Sequence, residues 1–104
     1  MGYYGLSDKD LDVMLRILSA NERISKVILY GSRAKGNYKA FSDIDLALVG
    51  EGLTRNDINA LNAAFYESPL PYQQNIVIYN SLKNSELISH IDRCGIVIYS
   101  RVNK

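Results

Sequence analysis

One cysteine, one histidine and no long apolar run leave this 104-residue chain few covalent or anchoring devices. Cys94 alone cannot close an intramolecular disulfide, and His90 alone leaves no zinc-ligand set. This usage suits a reducing, cytoplasmic setting. No uncharged stretch approaches the roughly 20 residues of a membrane span. Asp8, Asp10 and Asp12, set within a helical pattern, do not suit a secretion signal. The formal net charge of +1 gives no general attraction to an acidic membrane surface or to nucleic acid. With no basic stripe to meet a phosphate backbone, the chain argues against a nucleic-acid partner. Repeats, linkers and low-complexity segments are absent too. One domain spanning 1–104 is expected, with the 47% apolar and 22% charged composition of an ordinary globule.

The periodicity predicts alternating helices and strands. Ser7 is placed to cap a first helix, with Asp8 and Asp10 in its positive first turn. Leu11, Met14, Leu15 and Leu18 follow at helical spacing, and the helix should end near Asn21. Val27–Tyr30 reads as a strand, Ser32 to about Asn37 as a short helix, and Asp43–Val49 as a second strand. Thr54 caps a helix that buries Ile58, Leu61, Ala64 and Phe65. A loop bracketed by Pro69 and Pro71 leads to a strand over Asn75–Tyr79. Ser85 caps a last helix to about Arg93, Gly95 ends it, and Ile96–Ser100 is the final strand. The order predicts a single small α/β domain, one sheet with helices packed on it.

Chemistry concentrates in Gly31-Ser32-Arg33-Ala34-Lys35-Gly36 and Ser42-Asp43-Ile44-Asp45-Leu46, with ten residues separating Ser32 from Asp43. A strand runs into the glycine, and a short helix opens at Ser32. Residues two apart on a strand share a face, so Asp43 and Asp45 project together while Ile44, Leu46 and Leu48 turn away. Paired carboxylates repel unless a cation joins them, and hard cations such as Mg²⁺ take carboxylate oxygens. The turn offers backbone N–H groups to phosphate. The combination points to phosphoryl or nucleotidyl transfer. A P-loop is excluded because Asn37-Tyr38, not Lys-Ser/Thr, follows Gly36; a dinucleotide-binding fold is excluded because Gly-x-Gly-x-x-Gly is missing. Ser32 can serve as a helix cap alongside any phosphate role, and Arg33 and Lys35 can be a solvated helix face. His90 and Cys94, four apart on the last helix, read as packing or surface residues, and Tyr79 and Ser81 as structural.

Apolar strand, Gly-Ser, about ten residues, then Asp-x-Asp between apolar residues resembles the signature of the minimal nucleotidyltransferase (MNT) domains of the polymerase-β superfamily, of the MntA-like antitoxin type. Leu70-Pro71-Tyr72 and the Gly95-Ile96-Val97-Ile98-Tyr99 ending extend the resemblance over essentially the whole chain. The resemblance implies a polymerase-β-like nucleotidyltransferase fold. It also implies that Gly31 lets the backbone approach the phosphates and Ser32 bonds a phosphate oxygen. Arg33 and Lys35 would neutralise triphosphate charge, and Asp43 and Asp45 would hold Mg²⁺ at an ATP or other NTP. By the same resemblance the acceptor is a hydroxyl on a small helical HEPN-type partner, which receives AMP as the toxin of a toxin–antitoxin pair. Homo- or hetero-oligomerisation stays open. The chain ends soon after its last strand, so the acceptor surface is expected in trans.

The family's third carboxylate falls at Asn75. From Ser68 to Ser85 there is no Asp or Glu, so a one-residue slip does not supply one. An amide oxygen can ligate a hard cation weakly but carries no charge and is no base. The expectation is nucleotide binding with weakened transfer; the alternative is an inactive subunit that neutralises its partner by complex formation.

Overall fold

Ser7 caps the first helix as its sequence position requires, its hydroxyl accepting the Asp10 N–H at 3.0 Å in the computed structural model, which describes residues 4–101. This helix, α1 (Asp8–Ser19), buries Met14 and Leu18. Strand β1 (Lys26–Tyr30) leads through Gly31 into the one-turn α2 (Ser32–Lys35), and β2 (Ile44–Val49) follows. Helix α3 (Arg55–Glu67) starts at Thr54, whose N–H is bonded by the Asp57 carboxylate at 2.8 Å. Strand β3 (Gln74–Ile78), a 3₁₀ turn at Tyr79–Ser81, α4 (Ser85–Cys94) and β4 (Ile96–Ser100) complete the order.

Several expected boundaries move by a residue or two, and three of the shifts bear on the site or on a cap. The second strand begins at Ile44, so Asp43 sits just before it, and the third ends at Ile78 because the chain tightens into the 3₁₀ turn. The cap of α4 is Asn84, not Ser85: the Asn84 side chain accepts the N–H groups of Glu86 and Leu87 at 2.9 and 3.1 Å. An amide oxygen reaches those donors as well as a hydroxyl does.

The four strands form a mixed sheet in the order β3-β2-β1-β4. β1 is antiparallel to both β2 and β4, while β2 and β3 are parallel, their connection carried over the sheet by α3. Alternation along β2 sends Ile44, Leu46 and Leu48 into the main core with Leu29, Leu61 and Phe65. The opposite face gathers Tyr30, Ala47 and Ile91 beneath α4. Two registers then fix the site, because Tyr30 pairs with Asp45 and Asp45 pairs with Asn75. Three chemically distinct side chains therefore stand abreast at one end of the sheet. Among the described residues no helix is long and apolar enough to cross a membrane.

Candidate nucleotide-transfer site

The two carboxylates meet as their spacing requires. The Asn75 amide donates to Asp43 Oδ2 at 3.2 Å and to Asp45 Oδ1 at 3.0 Å, so one NH₂ group bridges both. Asp43 and Asn75 are exposed and Asp45 half-buried, leaving the cluster open to solvent. Because Asp43 and Asp45 flank one small polar group, their oxygens suit a single hard divalent cation. The Asn75 carbonyl oxygen becomes a third neutral donor if the amide turns. Among the described residues no group of three or more His, Cys, Asp or Glu is assembled for a metal, so the donor set is this pair and its amide.

Gly31 closes the site from β1. Its φ of +76° and ψ of −154° lie in a region essentially reserved for glycine. A Cβ there would overlap the Asp45 carboxylate. The residue is thus glycine because Asp45 fills the space where a side chain would go. Its carbonyl accepts the Lys35 N–H at 3.1 Å and so starts α2. Ser32 is half-exposed at the head of that turn, and Lys35 is exposed.

Arg33 requires a correction. It is 1% exposed, and its guanidinium points inward rather than toward a triphosphate. Nε and Nη2 donate to the Ser42 carbonyl at 3.2 and 2.8 Å, and Nη1 donates to the Tyr4 carbonyl at 2.9 Å. The cation stacks over the Tyr72 ring at 4.7 Å and near Tyr38 at 5.5 Å. Buried charge must be paired or hydrogen-bonded, and these partners meet that demand. Arg33 instead ties down the residue immediately before Asp43, locating the carboxylate through the backbone. Lys35 and Lys39, the two lysines between Gly31 and Asp43, are exposed.

His90 is the residue that sequence reasoning assigned to packing or the surface. Its Nε2 accepts the Gly31 N–H at 3.2 Å, and its ring meets Tyr30 edge-on, with centroids 6.0 Å apart. No local pattern around His90 signals this; it follows from α4 packing onto the β1 end. Burial, together with the nearby Asp45 charge, raises the Tyr30 phenol above its ordinary pKa. Tyr79 is structural, as expected, donating to Asp92 at 2.6 Å.

Beyond Asp43 an open groove of about 780 Å³ runs between the Pro71–Gln74 segment and α3, with Phe41, Asn62 and Tyr66 along it. Phe41 and Tyr66 are 74% and 91% exposed, the most exposed large hydrophobic side chains among the described residues.

Comparison with known proteins gives a consistent family. The family described as "Polymerase beta, Nucleotidyltransferase" matches residues 6–104. Among solved structures, a toxin–antitoxin with AMP-PNP is similar at 20% identity and a TM-score of 0.74, covering 88% of this chain and 74% of that one. A mutant toxin–antitoxin is similar at 18% identity and a TM-score of 0.68, with 92% and 75% covered. The MntA-HepT toxin–antitoxin follows at 15% identity and a TM-score of 0.59, with 88% and 70% covered. At these identities the likeness is one of fold. No curated protein matches the chain.

Proposed function

The chain belongs to the polymerase β nucleotidyltransferase family, and from that premise we propose that it binds Mg-ATP and transfers AMP to a hydroxyl of a HEPN-type partner protein, as the antitoxin of a toxin–antitoxin pair in the cytoplasm. The observation that carries this reading is the convergence of Asp43 and Asp45 beside Gly31, with Asp45 packed where a side chain at 31 would stand. A similar fold was solved as a toxin–antitoxin with AMP-PNP, an ATP analogue, which supports both the nucleotide and the partner.

Asp43 and Asp45 would hold Mg²⁺, which when bound supplies charge neutralisation for the triphosphate. The Gly31-Ser32 turn receives the phosphates, with the Ser32 hydroxyl as donor and exposed Lys35 as the nearby cation. The acceptor oxygen bonds the α-phosphorus, the α–β anhydride bond breaks, and pyrophosphate leaves. The acceptor proton passes to water or to the carboxylate pair, because the Asn75 amide cannot take it. Transfer is therefore slow relative to nucleotide binding.

A second reading rests on Asn75 itself. Its uncharged amide, which donates to both carboxylates, cannot serve as a base, and that suits a subunit that neutralises its partner by complex formation alone. Intact-mass measurement of the chain co-expressed with a HEPN-type partner protein, with Mg-ATP and with Asn75→Asp in parallel, separates the two. AMP on the partner with the native chain supports the transferase. AMP only with Asn75→Asp supports the binding subunit, and AMP with neither rejects protein modification.

A further inference from the structure

The one histidine of the chain lies in no motif, yet it engages the glycine on which the site turns. The Gly31 N–H is donated to His90 Nε2 at 3.2 Å, so this nitrogen is the unprotonated acceptor of the imidazole. Tyr30, buried in the sheet, meets the imidazole edge-on at 77° and limits its rotation from a second side. His90 rides on α4 next to Ile91, which is fully buried against the second face of the sheet. The imidazole is therefore placed by packing before it meets the glycine. On the other side of Gly31 stands the Asp45 carboxylate, in the volume a Cβ would fill. The peptide between Tyr30 and Gly31 is held between these two contacts in a backbone region that loops leave when nothing holds them.

We infer that His90 is a positioning residue for nucleotide: by accepting the Gly31 N–H it fixes the Gly31-Ser32 turn against Asp45, so that the phosphate-binding turn and the carboxylates keep one spacing. The inference rests on the nucleotide-binding reading above and adds α4 to the site. A histidine kept only for packing would need its ring, whereas a positioning histidine needs its acceptor.

Two substitutions divide these roles. His90→Phe keeps a ring against Tyr30 and removes the acceptor; His90→Gln removes the ring and keeps an acceptor oxygen. Amide hydrogen exchange, resolved by NMR in the nucleotide-free protein, reads Gly31 directly, with Leu46 and Leu48 as controls for the core. Titration with Mg-AMP-PNP reads the consequence. The expected result for His90→Phe is exchange at Gly31 about tenfold faster, unchanged Leu46 and Leu48, and nucleotide affinity about tenfold weaker. His90→Gln recovers a substantial part of both. Wild-type behaviour in His90→Phe overturns the inference, and so does equal loss in the two variants, which would assign the effect to the ring. If the wild-type chain binds no Mg-AMP-PNP, the nucleotide reading fails and the phosphate role falls with it, while exchange at Gly31 still reports whether His90 holds the turn.

Discussion

Asn75 and Asp45 are register partners on adjacent parallel strands, and the amide of one donates to the carboxylate of the other at 3.0 Å. The same amide reaches Asp43. A position where an acid would add a third negative charge instead supplies donors that hold the pair together. The position trades the charge and basicity of an acid for these two hydrogen bonds.

Asn75→Asp reverses that trade. The third carboxylate restores a charged ligand and a proton acceptor, and general-base function is worth on the order of 10²-fold or more in rate. Transfer should rise by about that factor, and the metal-free protein should melt lower and gain more from added Mg²⁺. Thermal melts with and without Mg²⁺, beside a transfer assay, check both parts.

Gly31→Ala places a methyl group on the Asp45 carboxylate in a backbone region closed to alanine. The cost should be roughly 1–3 kcal/mol of stability. Mg-dependent nucleotide binding should be lost because Asp45 must move. Denaturant melts and nucleotide titration measure the two effects.

Arg33 and Lys35 should separate cleanly. Arg33→Ala strands the Ser42 and Tyr4 carbonyls and empties a buried site, so it should destabilise the fold by roughly 2–4 kcal/mol. Lys35→Ala, at an exposed position, should stay within about 0.5 kcal/mol in stability while weakening nucleotide binding modestly. Equal effects of the two on stability would contradict the buried role of Arg33.

Acid stability should depend on Asp57. Hydrogen bonds from the Arg23 guanidinium, then from the Thr54 N–H and the Asn21 amide, hold its carboxyl well below the usual carboxylate range. A depressed folded-state pKa contributes stability that is fully present above the unfolded value of about 3.9 and is lost as pH falls below it. Asp57→Asn should therefore lower stability at neutral pH and flatten its decline below about pH 4. Melts across pH 2–7 follow the difference between the two proteins.

Much of this was legible in the residues. Helical spacing in Leu11–Leu18 and period-two alternation in Ile44–Leu48 are local signals, and both elements formed, the helix ending at Ser19 and the strand starting at Ile44. The Asp43-x-Asp45 spacing was legible from the strand's period, although Asp43 itself precedes the strand and is located through the Ser42 carbonyl held by Arg33. What escaped depends on contacts distant in sequence. Arg33 looks solvated on its short helix because nothing local shows that Tyr4, Ser42 and Tyr72 enclose it. His90 meets Gly31 across 59 positions of the chain, through packing that no periodicity encodes. Asn84 displaced Ser85 as a cap because both residues suit the position and the backbone chose the earlier one.

Calorimetric titration of AMP-PNP into the chain, with and without Mg²⁺, tests the central claim most directly when repeated on the folded Asp43→Ala/Asp45→Ala variant. The account predicts binding that requires Mg²⁺ and disappears in the double variant. Binding that is indifferent to Mg²⁺ or survives loss of both carboxylates, or no binding by the wild-type chain, would contradict it.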